Sequence, residues 1–423
     1  MEMETDGPAG VSVPVPEDPP DWPDPEPWDP PWDPPGPGTG GVDTGRRIIC
    51  SDQGVFLTDT FSGTTPLWYG SNTGLGAGDL DCYCIRRDPF HWWTSGGTET
   101  TLWLSTTTGI WKQENFPNGT WVQVITLADI LAAYPAFVGG YIRDTIMHFS
   151  VEVEGLFAVS TTLVHAAGGS STIAFVVLAE TIINANSLNA TDCGPSSIAF
   201  AQHSGGNTIY AVSNHAYLNL FNAAVRLWKS TNRGATWTNL VSVGSGGADG
   251  TMGKYSSVSV PYIDASNTLD RYVLWGKGGF YGAWGSCQFW ISDDRGATHT
   301  QIPGTEDGGY CRCGTSTVPT RQWYPTDRMD LHQCKWTNDG GATFTELPVG
   351  LAGFSFRGSW TRWNFDQLEE AIMVGDYIGG IPSGAAIGVW YSSTGAWADK
   401  RGNLEEFGIT SIRGVDRDSQ GAA

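Results

Sequence analysis

Positive charge is scarce in this sequence. Its 423 residues hold 23 Lys and Arg against 44 Asp and Glu, a formal net charge of −21. A surface this acidic repels phosphate backbones and anionic headgroups, so the reading excludes nucleic acid and anionic membrane surfaces as partners. Long apolar runs are missing too. No stretch approaches the roughly 18 residues needed to cross a bilayer. The opening Met1-Glu2-Met3-Glu4-Thr5-Asp6 has neither the basic n-region nor the apolar core of a signal peptide. An extracellular or cell-surface location therefore requires another secretion route or prior processing. The seven histidines show no metal-ligand spacing. No Gly-x-Ser-x-Gly stands in a strand–turn–helix context. Glycine pairs such as Gly278-Gly279 lack the Lys and helix of a phosphate cradle. No cofactor is expected.

Glycine (56) and Trp (20) are abundant. With so little charge, that composition suits many short strands joined by tight turns. The length allows two or three domains, although all-β folds often run long as one. Eight cysteines are present: Cys50, Cys82, Cys84, Cys193, Cys287, Cys311, Cys313 and Cys334. The even count predicts disulfides and an oxidising compartment, with 105 possible pairings. Buried free thiols and, less well, a metal are the alternatives. The Cys-x-Cys pairs are too closely spaced for most zinc sites and lack a histidine pair. Sequons at Asn118-Gly119-Thr120 and Asn189-Ala190-Thr191 permit N-glycosylation.

One eight-residue pattern repeats. It reads Ser230-Thr231-Asn232-Arg233-Gly234-Ala235-Thr236-Trp237, then Ser292-Asp293-Asp294-Arg295-Gly296-Ala297-Thr298-His299, then Thr337-Asn338-Asp339-Gly340-Gly341-Ala342-Thr343-Phe344. Each position has a role in a tight hairpin turn. An Asp or Asn bonds the backbone just downstream and caps the turn. Glycine supplies a positive φ. Thr restarts a strand and the aromatic packs below it. These residues resemble the Asp-box, or BNR repeat, of sialidases, xyloglucanase-type glycoside hydrolases, the Vps10/sortilin group and photosystem assembly factors. The resemblance implies a β-propeller with one box per blade, between its third and fourth strands. It identifies a fold better than an activity.

Degenerate relatives of the pattern extend through the chain. Arg46–Ile49 and Gly54–Thr58 read as strands around a Ser51–Gly54 turn. Residues closing successive turns are Trp68, Trp121, Phe175, Trp237, His299, Phe344 and Trp397, spaced by 53, 54, 62, 62, 45 and 53. Seven units of about 55 residues fit a propeller of four-stranded blades. The predicted architecture is thus all-β, a single β-propeller over residues 42–423, with seven blades favoured and six or eight as alternatives because the Phe175 unit is the weakest member. A strand over Phe407–Arg413 is predicted to complete a blade with the strand near Arg47–Ile49, hiding the sheet edge. The polar Asp416–Ala423 is predicted to fray.

Residues 1–41 differ from the rest. They hold 13 of the 24 prolines, ten acidic residues and no Lys or Arg. The core is a near-repeat, Trp28-Asp29-Pro30-Pro31 and Trp32-Asp33-Pro34-Pro35, echoing Trp22-Pro23-Asp24-Pro25. Proline density enforces extended backbone of about 3.1 Å per residue. Gly36–Gly41 reads as a joint. A disordered acidic linker accounts for such a composition. Trp22, Trp28 and Trp32, however, are costly to leave in water, and they favour docking on a partner surface.

No catalytic constellation stands out. The boxes are not catalytic in the families that carry them. A sialidase-like site would need three arginines, and Arg46-Arg47-Ile48-Ile49 lacks the Arg-Ile-Pro pattern of the first. A xyloglucanase-like site places two carboxylates between two propellers, and this chain has room for one. Candidate acids are Asp79, Asp81, Asp144, Glu152, Glu154, Asp264, Asp270, Glu306 and Asp307, none marked by a motif. Asp79-Leu80-Asp81 and Asp293-Asp294 are oxygen donors of calcium type, but solvated turn acids explain them more simply. Aromatic clusters at His91-Trp92-Trp93 and Phe354–Trp360 suit a glycan- or peptide-binding face, although inter-blade core is the commoner use. The favoured expectation is a non-catalytic extracellular subunit whose arm docks on a neighbouring copy to build a filament. The alternative is a carbohydrate-active or glycan-binding propeller with its site at the channel mouth. A receptor-type propeller for a protein ligand ranks third.

Overall fold

The computed structural model describes residues 46–90, 101–137, 139–168, 170–188, 197–201, 204–214, 224–244, 256–260, 273–277, 288–302, 310–311, 314–315, 322–324, 326–327, 334–348, 354–364, 367–377 and 384–417. The Pro/Trp-rich arm lies outside the described residues.

Strands follow one another in groups of four. β1 (Arg47–Ser51), β2 (Gly54–Thr58) and β3 (Tyr69–Gly70) open the first sheet. β4 (Cys82–Arg87), β5 (Leu102–Thr106), β6 (Gly109–Gln113) and β7 (Trp121–Thr126) form the second. A helix, α1 (Leu127–Ala133), comes next. The third sheet is β8 (Gly140–Phe149), β9 (Leu156–His165), β10 (Ser170–Leu178) and β11 (Thr181–Ser187). The fourth is β12 (Ser197–Phe200), β13 (Ile209–Asn214), β14 (Ala224–Ser230) and β15 (Thr238–Gly244). The fifth is β16 (Ser256–Ser259), β17 (Val273–Lys277), β18 (Gln288–Ser292) and β19 (Thr300–Gln301). Then come β20 (Tyr310–Cys311), β21 (Gly314–Thr315), β22 (Gln322–Tyr324), β23 (Thr326–Asp327), β24 (Lys335–Thr337) and β25 (Thr345–Glu346). Of these, β21, β22, β24 and β25 make the sixth sheet, while β20 and β23 form a two-stranded ribbon. The seventh is β26 (Phe354–Asn364), β27 (Gln367–Tyr377), β28 (Ala385–Tyr391) and β29 (Ala396–Asp399). Finally β30 (Ile412–Arg417) pairs antiparallel with β1, so the two ends of the described chain share the first sheet.

The sheets pack face to face, which explains why their strands read as continuous apolar runs rather than alternating ones. β1 shows the logic. Ile48 and Cys50 face the second sheet in a layer with Ile85, Leu102 and Leu104. Ile49 faces the seventh, against Ile372, Val374 and Val389. The same sandwiching joins the second and third sheets through Trp103, Phe149 and Phe157, and the third and fourth through Val176, Ile198 and Phe200. Tyr210, Val273 and Trp290 join the fourth to the fifth. Trp336, Met373 and Trp390 join the sixth to the seventh. Each fully buried aliphatic or aromatic side chain contributes roughly 1.5–3 kcal/mol, so these layers hold the sheets in sequence order.

Three expectations need correction. Phe175 does not follow a turn: it lies inside β10, paired with Val159 and Ala185. The turn closing that sheet is Ala179-Glu180, both at positive φ. The predicted strand over Phe407–Arg413 starts late. Leu404–Phe407 is a 3-10 turn ended by Gly408 at φ 68, and the strand runs from Ile412 to Arg417, taking in Asp416. The all-β reading also overlooked α1, whose start is readable as Thr126-x-x-Asp129. The Thr126 hydroxyl accepts from Asp129 N–H at 3.2 Å while the Asp129 carboxylate accepts from Thr126 N–H at 2.8 Å.

Candidate functional site

The three repeated turns share one hydrogen-bond pattern. The Ser230 hydroxyl accepts from Gly234 N–H at 2.8 Å and donates to Asn232 Oδ1 at 3.0 Å, and Asn232 Oδ1 accepts from Thr236 N–H at 2.9 Å. Ser292, Asp294, Gly296 and Thr298 repeat this at 2.7, 2.8 and 2.7 Å. Thr337, Asp339, Gly341 and Thr343 repeat it at 3.0, 2.6 and 2.9 Å. The chain turns through two successive left-handed residues: Arg233 and Gly234, Arg295 and Gly296, Gly340 and Gly341. A hydroxyl two residues before the acid and four before the glycine is therefore the chemical requirement, which Ser and Thr both meet. His299 takes the aromatic position, its ring N–H donating to Gly296 O at 3.1 Å, as the Trp237 indole does to Gly234 O. Burial lowers the His299 pKa. A weaker copy survives in the first sheet, where Thr60 Oγ1 accepts from Leu67 N–H at 2.9 Å.

This bonding explains the electrostatics. The Thr298 hydroxyl and N–H hold the Asp294 carboxyl down to about 2. The Thr337 and Thr343 hydroxyls hold Asp339 well below the usual carboxylate range. Both acids are spent on the turn itself.

Seen from the neighbouring sheet, each turn is also a joint. Asn184 and Asn186 of β11 donate to the carbonyls of Arg233 and Gly234 at 3.0 and 2.6 Å. Tyr210 and Lys229 of the fourth sheet donate to Arg295 O at 2.9 and 3.2 Å. The glycines press on the preceding sheet. A Cβ at Gly234 would lie 2.8 Å from Val176, one at Gly296 2.5 Å from Leu240, and one at Gly341 2.7 Å from Ile302. Trp residues opening a fourth strand reach back in the same direction. The indole N–H of Trp121 donates to Ser71 O at 2.7 Å, that of Trp397 to Pro348 O at 2.9 Å, and that of Trp68 to Lys400 O at 3.1 Å.

The joint between seventh and first sheets carries extra chemistry. Arg47 of β1 and Glu370 of β27 form an ion pair at 2.9 Å with side chains 2% and 1% exposed. Arg47 also lies over the Phe61 ring at 5.0 Å. The Lys400 ammonium donates to Gly63 O, and its pKa is lowered by burial against the opposing pull of Glu370.

The candidate acids are scattered among structural tasks. Asp79 Oδ2 accepts from Gly76 N–H at 3.1 Å and its Oδ1 from the Thr108 hydroxyl. Asp81 pairs with Arg413 and accepts from the Tyr83 hydroxyl at 2.8 Å. Glu152 accepts from Ser204 and Gly206 N–H at 3.0 and 3.3 Å, tying the third sheet to the fourth. Glu154 is exposed. Asp144 lies on β8, its side chain outside the described residues, as are Asp264, Asp270, Glu306 and Asp307 entirely. So are His91–Trp93, Asn189 and the side chains of Phe354–Trp360, whereas Asn118 sits exposed in the turn before β7. Among the described residues no group of three or more His, Cys, Asp or Glu is arranged to hold a metal.

Cys50, Cys82, Cys84 and Cys334 carry buried free thiols, against the expectation of disulfides. Each fills an apolar layer between sheets, where a thiol behaves as a small hydrophobe. Burial pushes the Cys50 and Cys82 thiols far up, so neither is a nucleophile. Cys193, Cys287, Cys313 and the Cys311 side chain lie outside the described residues.

Two groups that sequence reasoning passed over face each other at the inner edges of the sheets. β4 packs between β30 and β8, the corresponding end strands of the first and third sheets. Arg86 of β4 and His148 of β8 are both deep in the protein yet keep some accessible surface. Burial and the Arg86 charge bring the His148 pKa down to about 4. Its Nδ1 accepts from Phe200 N–H at 3.3 Å, so the neutral ring carries its proton on Nε2. No motif announces this pair, because the two residues are 62 positions apart.

No protein-family profile and no curated protein matches the chain. Solved structures do. The GH74 xyloglucanase from Xanthomonas campestris superposes with a TM-score of 0.52 at 14% identity, over 79% of this chain and 46% of that one. A Hadza microbial sialidase gives 0.44 at 12% identity, over 82% and 71%. The β-propeller domain of the Trilobed protease from Pyrococcus furiosus gives 0.43 at 9%, over 82% and 91%. The last two superpositions are too loose to carry an argument. This chain spans under half of the xyloglucanase, and the likeness at that identity shows a shared fold alone. Mostly β, with face-to-face four-stranded sheets, the chain has a fold of the β-propeller kind.

Proposed function

We propose that residues 42–423 form a single seven-bladed propeller whose repeated turns are Asp-boxes, and that the protein is a non-catalytic extracellular building block. In this reading the arm of residues 1–41 docks on a neighbouring copy and yields a head-to-tail assembly. The supporting observation is how the described polar groups are used. The turn acids and hydroxyls and the acids Asp79, Asp81 and Glu152 serve hydrogen bonds or ion pairs that hold turns and sheets together. Trp22, Trp28 and Trp32 supply the apolar area for docking, and a contact between unlike surfaces propagates as a filament unless its rotation completes a ring. Deleting residues 1–41 is expected to leave a cooperatively unfolding monomer by light scattering. Assembly that persists without the arm overturns the reading.

A second reading has one observation behind it, the superposition on a xyloglucanase. It makes the chain a carbohydrate-active or glycan-binding propeller. Incubation with xyloglucan and with sialosides decides the point: released sugar replaces the structural reading, while binding without release on a glycan array supports a lectin-like role.

A further inference from the structure

The inner-edge strands carry a charge pattern opposite to that of the whole protein. β4, β8, β26 and β30 hold Arg86, Arg87, Arg143, Arg357, Arg362, Arg413 and Arg417, with only Asp144 and Asp416 against them. The chain has 44 acids against 23 bases, so gathering seven arginines on four strands is a local reversal of sign. β12 and β16, the inner-edge strands of the fourth and fifth sheets, carry no charge.

Arg86 is the informative member. Its hydrogen bond is from Nη1 to the carbonyl of the adjacent Ile85 at 2.9 Å. Among the described residues no carboxylate lies within ion-pair distance of it. Cys84, Asp416 and Cys50 act on it electrostatically, but among the described residues none of them forms an ion pair with it. Arg413 by contrast is paired with Asp81. A guanidinium drawn largely out of water normally meets a carboxylate, because desolvating a cation is costly unless it is paired, and Arg86 keeps only part of its surface in solvent. The atoms left over are informative too. With Nη1 on Ile85, the edge made by Nε–H and Nη2–H is uncommitted. That edge is the planar fork whose two parallel donors match a carboxylate. Across from β4, His148 adds an Nε2–H donor with no positive charge to desolvate.

We propose that Arg86, with His148 beside it, is the receiving group of a binding site for a carboxylate ligand at the inner edges of the first three sheets, the carboxylate lying on the Nε/Nη2 edge. The site is independent of whether the protein assembles or acts on glycans. Its ligand class follows from the fork: a small molecule bearing one or more carboxylates.

Isothermal titration of the full chain with citrate tests this. Saturable binding is expected, at least about tenfold weaker in Arg86→Gln, as befits loss of a bidentate charged contact. Arg86→Lys, which keeps the charge and loses the fork, is also expected to weaken it. Arg413→Gln, which removes an arginine already paired, should bind like the parent. Unliganded Arg86→Gln should unfold at about the same urea concentration as the parent, since it loses only a bond to the Ile85 carbonyl. Three results overturn the proposal: no saturable heat up to about 10 mM citrate, weaker than ordinary specific affinities; undiminished binding in Arg86→Gln; or equal losses in Arg413→Gln and Arg86→Gln, which would mean diffuse attraction.

Discussion

Two adjacent glycines in one turn separate backbone strain from packing. Gly340 and Gly341 both sit in the left-handed region, at φ 73 and 94. A Cβ on Gly340 would meet nothing within 4 Å, whereas one on Gly341 would lie 2.7 Å from Ile302 Cγ2 and 3.6 Å from the Phe344 ring. Ile302 is itself buried at 2% exposure, so it has nowhere to retreat. Left-handed backbone costs an L-residue about 1–2 kcal/mol, and the restricted unfolded chain returns about 0.4–1 kcal/mol of that for alanine. Gly340→Ala should therefore cost about 0.5–1 kcal/mol. Arg233 and Arg295 occupy the equivalent place in the other turns at φ 55 and 63, which shows that a side chain is admitted there. Gly341→Ala adds an overpacking cost of about 1–3 kcal/mol, for roughly 2–4 kcal/mol in all. The assay is the urea midpoint at constant slope. A double substitution with Ile302→Ala should recover part of the loss as a favourable coupling. Equal effects of Gly340→Ala and Gly341→Ala, or no coupling to Ile302, would refute the idea that the turn is pressed against the preceding sheet.

Two further predictions concern charge. Arg47→Met or Glu370→Leu alone removes one half of a buried ion pair and should cost about 3–5 kcal/mol, while the double replacement costs far less than the sum. Denaturation of the three variants measures this, and additive losses would contradict a pair acting as a unit. His148 is neutral in the fold because its pKa lies near 4, below the 6.5 of an ordinary histidine. The unfolded chain thus binds a proton that the folded chain refuses between about pH 6.5 and 4. Stability from this group is complete above pH 6.5 and falls as the pH drops, by about 3 kcal/mol at pH 4. His148→Asn should flatten that part of the stability–pH curve, and an unchanged slope would show that His148 is not the group responsible.

The repeated turns were legible because their chemistry is local. A hydroxyl at one position, an Asp or Asn two later and a glycine four later close their bonds within seven residues, so the pattern survives in any surroundings. The same locality made the Ser51–Gly54 hairpin readable, where the Ser51 hydroxyl accepts from Gln53 N–H at 3.1 Å. Misreadings came where local patterns compete. Phe175 reads as a turn-closing aromatic because a glycine-serine turn precedes it, yet that turn joins β9 to β10, the middle strands of the sheet, and not its last two.

What the sequence by itself determined is the repeating unit: strands, hairpin turns and the Asp or Asn that caps each repeated turn, all governed by neighbours a few residues away. Only the tertiary structure decided which strands share a sheet and which side chains meet. β1 pairs with β30, Arg47 standing opposite Arg417 and Ser51 opposite Ile412, Arg47 meets Glu370, four cysteines settle into apolar layers, and Arg86 is left at an inner edge with an unused fork. Each of these depends on the face a strand turns toward another sheet, and no spacing along the chain encodes that.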